Sequence, residues 1–158
     1  MDDRLFRDAM GKFTTGVTVL TTEFENEPAG MTANAFMSVS LTPKLVVVSI
    51  GHKARFLEKV KVAQKFAVNI LAADQENYSR MFAGQLKDDS RIEFAELAGL
   101  PVVPNALAQV SCKVVAEHIE GDHTLLIGEV LDIRLEDGNP LIFFSGQYHA
   151  LAEKTAVL

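Results

Sequence analysis

Four short stretches of the chain carry residue types and spacings suited to holding a ligand. Gly30-Met31-Thr32-Ala33-Asn34-Ala35-Phe36-Met37-Ser38-Val39-Ser40 has the length of a strand, yet places small and hydroxylated residues where bulky ones would normally stand. Small side chains let a flat ligand approach the backbone, whose N–H and C=O groups can pair with polar ring edges. A tight seam within a barrel or between subunits accounts for the same residues equally well. In Ser49-Ile50-Gly51-His52-Lys53-Ala54-Arg55-Phe56 a strand runs through a glycine into the start of a helix. Free backbone N–H groups there, with Lys53 and Arg55, suit a phosphate, although an ordinary solvated helix start looks similar. Gly121-Asp122-His123-Thr124 and Ser145-Gly146-Gln147-Tyr148 are polar knots at strand ends, where loops carry either binding groups or plain turn chemistry. Phe82 reads as a core aromatic or as a ring beside a flat ligand.

Other chemistries have no support. No G-x-G-x-x-G follows a strand, and neither a P-loop nor a G-x-S-x-G elbow occurs. The histidines at 52, 118, 123 and 149 lack helical metal-ligand spacing. His118 and His123 flank one turn and could face each other, but without a nearby carboxylate or thiolate they make a poor zinc site. No acid–base pair or nucleophile stands out. That suits a reaction in which a cofactor supplies the reactivity and the protein the geometry.

The elements that must position these groups follow from composition and period. A chain of 158 residues, 48% apolar, is expected to form one domain over 1–158. Its net charge of −6, unbroken by any basic block, argues against nucleic acid or an anionic membrane as partner. The single cysteine, Cys112, excludes an intrachain disulfide. Met1-Asp2-Asp3-Arg4 does not resemble a signal or transit peptide, and the longest apolar run, 45–50, is too short to cross a bilayer. The expectation is a cytoplasmic protein.

Leu5, Phe6, Ala9, Met10 and Phe13 recur at helical spacing and predict an amphipathic helix ending by Gly16. Strands are expected over 17–22, 31–41 and 45–50, separated by a polar turn at 23–28 and by Thr42-Pro43-Lys44. A helix over 55–65, a strand over 66–71 and a helix over 75–83, with Tyr78, Met81 and Phe82 inward, come next. Residues 84–104 read as an irregular excursion. From Ala108 the period becomes two, predicting a three-stranded meander that turns at Gly121-Asp122 and at Asp137-Gly138-Asn139-Pro140 and ends over 141–144. Strands dominate without regular strand–helix alternation. The best fit is a closed or nearly closed antiparallel barrel with helices at its ends.

The runs TTGVTVLTT, GMTANAFMSVSLTP, SIGHKARF, VNILAADQ, MFAG, ALAQVSCKVV, GDHTLLIGEV and PLIFFSGQYHAL, in this order over 6–151, resemble the flavin reductase-like family. Within it they are most similar to the short reductase components of two-component phenol and 4-hydroxyphenylacetate monooxygenases. The resemblance implies a mainly β, homodimeric antiparallel split β-barrel with flanking helices. It also implies hydride transfer from NADH to FAD, or FMN, with reduced flavin passing to a separate aromatic-hydroxylating monooxygenase. Carried over by residue, it sets Thr32, Ala33, Asn34, Ala35 and Ser38 along the isoalloxazine and ribityl chain. Ser49, Ile50, Gly51, His52, Lys53, Ala54, Arg55 and Phe56 would surround the phosphate end, and Phe82 and Ala83 would flank the flavin. His123 would donate a hydrogen bond to the nicotinamide nucleotide, and Ser145, Gly146, Gln147 and Tyr148 would complete that pocket. Many relatives carry a serine near Ala54, so that hydroxyl is missing here. The rival readings are a flavin-binding electron carrier on the same barrel and a cofactor-free dimerisation module.

Overall fold

The computed structural model describes residues 1–86 and 92–152. Helix α1 (Asp3–Met10) starts where the Asp2 carboxylate accepts the Arg4 N–H at 3.1 Å, an N-cap that satisfies one of the helix's free donors. It stops at Gly11, short of Phe13. After the two-residue strand β1 (Thr15–Gly16) come β2 (Thr18–Phe24) and β3 (Glu27–Ala33), a hairpin turning on Glu25 and Asn26. Both turn residues have positive φ, 54° and 62°, the geometry that matches the twist of a two-residue hairpin. The expected polar turn over 23–28 thus shrinks to two residues, and Pro28 sits in β3. As an edge strand, β3 tolerates the missing N–H.

The expected single strand over 31–41 is two strands. It breaks at Asn34 and Ala35 into β3 and β4 (Phe36–Leu41), and β4 pairs with β5 (Lys44–Gly51). The reason is topological. In the seven-stranded antiparallel sheet, which also holds β6 (Lys65–Ile70), β9 (Ala108–Glu120) and β10 (His123–Leu135), the order is β3-β2-β6-β9-β10-β5-β4, so β3 and β4 are its two edges. The chain steps from one edge to the other at Asn34-Ala35, where the Ser49 N–H donates to the Ala35 carbonyl at 3.1 Å. The sheet therefore rolls into an antiparallel barrel split between β3 and β4, which disposes of most of its exposed edge.

The barrel interior holds Leu20, Val46, Val48, Ile50, Phe66 and Leu126, and α2 (Arg55–Ala63) inserts Phe56, Leu57 and Val60 among them. Gln64, with φ 55°, ends α2 in the left-handed cap conformation, one residue before β6 begins.

Residues 84–104, of which 87–91 lie outside the described residues, contain a hairpin that the sequence reading missed. Strands β7 (Ala95–Leu97) and β8 (Leu100–Val102) turn on Ala98 and Gly99, both with positive φ. The hairpin packs Leu97, Leu100 and Val102 over Ala67, on the outside of the barrel. The polar residues beneath it are consequently buried and satisfied. Asn69 Oδ1 accepts the Val103 N–H at 2.8 Å, its amide donates to the Val19 carbonyl at 2.8 Å, and Gln109 donates to the Val103 carbonyl at 2.6 Å. Gln109 and Ser111, the polar alternates at the start of the period-two stretch, are buried here.

The meander also divides. Strand β11 (Ile142–Phe144) leaves the barrel to form a small sheet with β1 and β12 (Gln147–His149). Between β6 and the hairpin, a 3-10 turn at Ala73–Gln75 leads into α3 (Glu76–Phe82). Tyr78 and Phe82 of α3 pack on a second cluster that includes Val19, Leu71 and Leu141, and Ser79 is its buried residue. Helix α1 has the expected apolar face but buries nothing. Leu5, Phe6, Met10 and Phe13 are all exposed in the protomer.

Candidate functional site

Register decides which residues face the site. The even-numbered Val46, Val48 and Ile50 of β5 point into the core, so Val47, Ser49 and Gly51 line the outer face of the barrel. Their partners on β10 are Ile127, Leu125 and His123, and β4 adds Met37 beside Val47. Over this face stand α1, the segment that follows it and the β11–β12 turn. They enclose an open groove of about 1430 Å³. Asn34, Ala35, Ser49 and Leu125 from the barrel line it together with Ser145 and Gly146 from the β11–β12 turn. The β11–β12 turn is tied to the wall, since Ser145 N–H donates to the Gly11 carbonyl at 2.9 Å and Lys12 Nζ lies 3.4 Å from Ser145 Oγ. Ser145 and Gly146 both have positive φ, 47° and 79°, as a two-residue hairpin requires.

Beyond Gly51 the chain turns into α2. His52 locks this turn to the one between β9 and β10: its N–H donates to the Asp122 carbonyl at 2.9 Å, and its Nε2 is 3.1 Å from Thr124 Oγ1. Ala54 occupies the N-cap of α2 without a side-chain hydrogen bond. The adjoining Lys53 and Arg55 are exposed and make no ion pair among the described residues. Ile50 and Phe56 bury their side chains in the core, leaving only backbone to the surface. His123, opposite Gly51, holds its Nδ1 2.7 Å from Asp122 Oδ1. The hydrogen bond and charge of His123 keep the Asp122 carboxyl below the usual carboxylate range. His118 pairs with Leu125 and His123 with Glu120, so the two imidazoles are not direct cross-strand partners.

The remaining residues singled out from the sequence lie away from the groove wall. Thr32 donates to the Ser79 carbonyl at 2.6 Å, and the Ala33 carbonyl accepts from Thr18 Oγ1 at 2.6 Å. Ser38 is exposed on β4, opposite Val46. Phe82 lies against Gly30, where a Cβ would come within 2.7 Å of its ring, and 6.1 Å from the Phe94 ring. Ala83 caps α3. Gln147 and Tyr148 face a smaller polar recess of about 380 Å³, on the far side of Gly146. There Tyr148 Oη is 2.7 Å from Ser79 Oγ, and the Arg80 guanidinium lies over the ring at 4.9 Å.

Several groove residues escaped the sequence reading: Phe6, Met10 and Phe13 near α1, Thr15 on β1, and Val47 and Leu125 on the barrel. The one legible signal was in β5 and β10, which are apolar on both faces, as strands covered on both sides are. Thr15 Oγ1 is buried without a hydrogen-bond partner among the described residues, which nothing in its sequence context announces. The groove as a whole has a mostly apolar lining that also carries the hydroxyls of Ser49 and Ser145 and the cations Arg7 and Lys12, and the start of α2 with Lys53 and Arg55 follows at the end of β5. That is what a flat heterocycle carrying a phosphate requires.

Comparison with known proteins agrees with this geometry. The chain matches the flavin reductase like domain over residues 10–152. It is 44% identical over 148 residues to an NADH-dependent flavin reductase of a Rhodococcus species, covering 92% of this chain and 84% of that one. It is 37% identical over 147 residues to the reductase component of the 4-hydroxyphenylacetate 3-monooxygenase of Thermus thermophilus, covering 92% and 95%. The solved structure of flavin reductase PheA2 in its native state superposes with a TM-score of 0.95 at 63% identity, over 97% of this chain and all of that one. A split barrel with this groove, matched along nearly its whole length, places the chain in the family of flavin reductase like domains.

Proposed function

We propose that the protein is an NADH-dependent flavin reductase, delivering reduced FAD, or FMN, to a separate monooxygenase component that hydroxylates an aromatic substrate. The observation that carries this reading is the single groove joining Asn34, Ala35 and Ser49 to Ser145 and Gly146. It brings three of the residues assigned to the flavin and two of those assigned to the nicotinamide nucleotide into one space. The relatives named NADH-dependent flavin reductase and monooxygenase reductase component support it.

The residues present fit a flavin. The wall at Asn34, Ala35 and Ser49 is small and the floor apolar, so a ring system can lie flat and meet backbone edges. The uncapped start of α2, with Lys53 and Arg55, supplies free N–H groups and two cations for a phosphate on a chain of net charge −6. Bound flavin supplies the hydride-accepting ring, and nicotinamide supplies the hydride. The protein's part is positioning: two rings held about 3–3.5 Å apart and aligned gain much of the rate from orientation alone. Leu125 and Phe143, which line the groove, would lie against the rings, and Ser49, Ser145 and the backbone would meet their polar edges.

The active species in this reading is a homodimer. Leu5, Phe6 and Met10 on α1 and Phe13 just after it, with Met37, Val39 and Leu41 on β4, are too much exposed apolar surface for an isolated protomer, and a second copy is the occupant that covers them. No helix among the described residues is long and apolar enough to cross a membrane, and the chain's acidity disfavours anionic surfaces. We place the protein in the cytoplasm.

Anaerobic stopped-flow mixing of the protein and FAD with NADH tests the function. Saturable bleaching of the flavin band at about 450 nm is expected. A protein that binds flavin but gives no bleaching is the electron carrier instead, and one that binds none overturns both readings.

A further inference from the structure

Asp122 stands in the open turn between β9 and β10, its side chain 94% exposed, yet its carboxylate has a fixed partner in His123. A surface pair of this kind contributes little to stability. Its geometric effect is larger. Asp122 is held ionised by its neighbour, and an ionised carboxylate only accepts hydrogen bonds. At 2.7 Å, His123 Nδ1 must therefore carry the proton, and in the neutral form of the ring Nε2 is the bare nitrogen. That bare nitrogen lies over Gly51, 3.5 Å from where a Cβ would stand, on the same barrel face as Ser49 and Leu125 of the groove. The backbone beneath is clamped by His52, which grips both the Asp122 carbonyl and the Thr124 hydroxyl.

We infer that Asp122 is a positioning residue for the hydride donor: by holding the Nδ1 proton of His123 it presents Nε2 as an acceptor to an N–H or O–H of the nicotinamide nucleotide. The neutral ring is thus an acceptor, where the sequence reading has His123 as a donor. The inference rests on the reductase reading, and it names a residue that reading does not use. Gly51 leaves room beneath the ring: a Cβ there would meet Nε2 at 3.5 Å, an ordinary contact, and only a longer side chain would crowd the imidazole.

Two measurements test it. In the protein without nucleotide, two-bond ¹⁵N–¹H NMR of His123, at a pH where the ring is neutral, should show Nδ1–H in the wild type and lose that preference in Asp122→Ala. In steady-state and stopped-flow kinetics, Asp122→Ala should raise the KM for NADH about two- to ten-fold, the scale of one misdirected hydrogen bond, with the FAD dissociation constant and the Tm unchanged. Asp122→Asn, which retains a carbonyl acceptor, should recover most of the loss. Asp122→Ala combined with His123→Ala should be no worse than His123→Ala alone, because the carboxylate acts through the ring. An Nε2–H tautomer in the wild type, an unchanged KM for NADH in Asp122→Ala, or additive losses in the double variant would overturn the inference. If the wild type does not bleach flavin with NADH, the reductase reading fails by itself, whatever the tautomer.

Discussion

Removing the cations at the start of α2 separates a phosphate site from an ordinary helix end. Arg55 is the first residue of α2 and Lys53 lies just before the cap, both exposed and without an ion pair among the described residues. The cap residue, Ala54, offers no hydroxyl, so the first N–H groups of α2 have no side-chain partner there. If flavin phosphate occupies this end, Arg55→Ala removes a charge-assisted hydrogen bond worth about 1.5–3 kcal/mol. That corresponds to a roughly ten- to hundred-fold weaker FAD dissociation constant. The ligand-free protein should hardly notice, because the side chain is solvated and buries nothing, and surface changes of this kind stay within about 0.5 kcal/mol. Equilibrium titration of flavin fluorescence gives the dissociation constant, and thermal unfolding of the ligand-free protein gives the control. Lys53→Ala should show the same pattern, and raising the salt concentration should weaken the wild type more than either variant. An unchanged dissociation constant in both variants would refute the argument and leave Lys53 and Arg55 as solvated charges. A lowered Tm in the ligand-free variants would refute it differently, by showing that they stabilise the fold.

His123→Ala should raise the KM for NADH or slow hydride transfer about two- to ten-fold while leaving flavin affinity nearly intact, read from the full NADH saturation curve. Gly128→Ala should destabilise the barrel, because its Cβ would come within 2.6 Å of the Phe66 ring and 2.9 Å of Cys112 Cβ in a closed core. Overpacking of this kind costs about 1–3 kcal/mol, and the Tm should fall by roughly 2–12 °C. Burial pushes the Cys112 thiol up from 9.0 to about 12, so it should resist thiol reagents near neutral pH until the protein unfolds. Because the folded value is the higher one, this stabilisation is complete below pH 9.0 and is lost as the pH rises toward about 12, which denaturant titrations across that range should show. Light scattering at micromolar concentration should give the mass of a dimer, and a fully active monomer would contradict the role assigned to the apolar face of α1.

The residues alone determine the local elements and the chemistry they can offer. The β-branched runs in β2, β5 and β6 and the period-two pattern of β9 and β10 are legible, because a strand's alternation is written in consecutive side chains. The helical spacing of Phe56, Leu57 and Val60 likewise announces α2, and the basic turn before it is visible as a site for a phosphate. Tertiary structure decides where these elements meet. Asn34 and Ala35 look like the middle of a strand, but the chain crosses there from one edge of the barrel to the other, and no local property of small residues encodes that step. Strands β7 and β8 are too short to show a period, and their hairpin turns the apparent solvent face of Gln109 and Ser111 into a buried one. The spacing in α1 states that one face is apolar without saying what covers it, and among the described residues nothing does. The groove itself, bringing Ser49 within one space of Ser145 across almost a hundred residues, exists only through register, because a one-residue slip of β5 would put Val48 in place of Ser49 on the outer face.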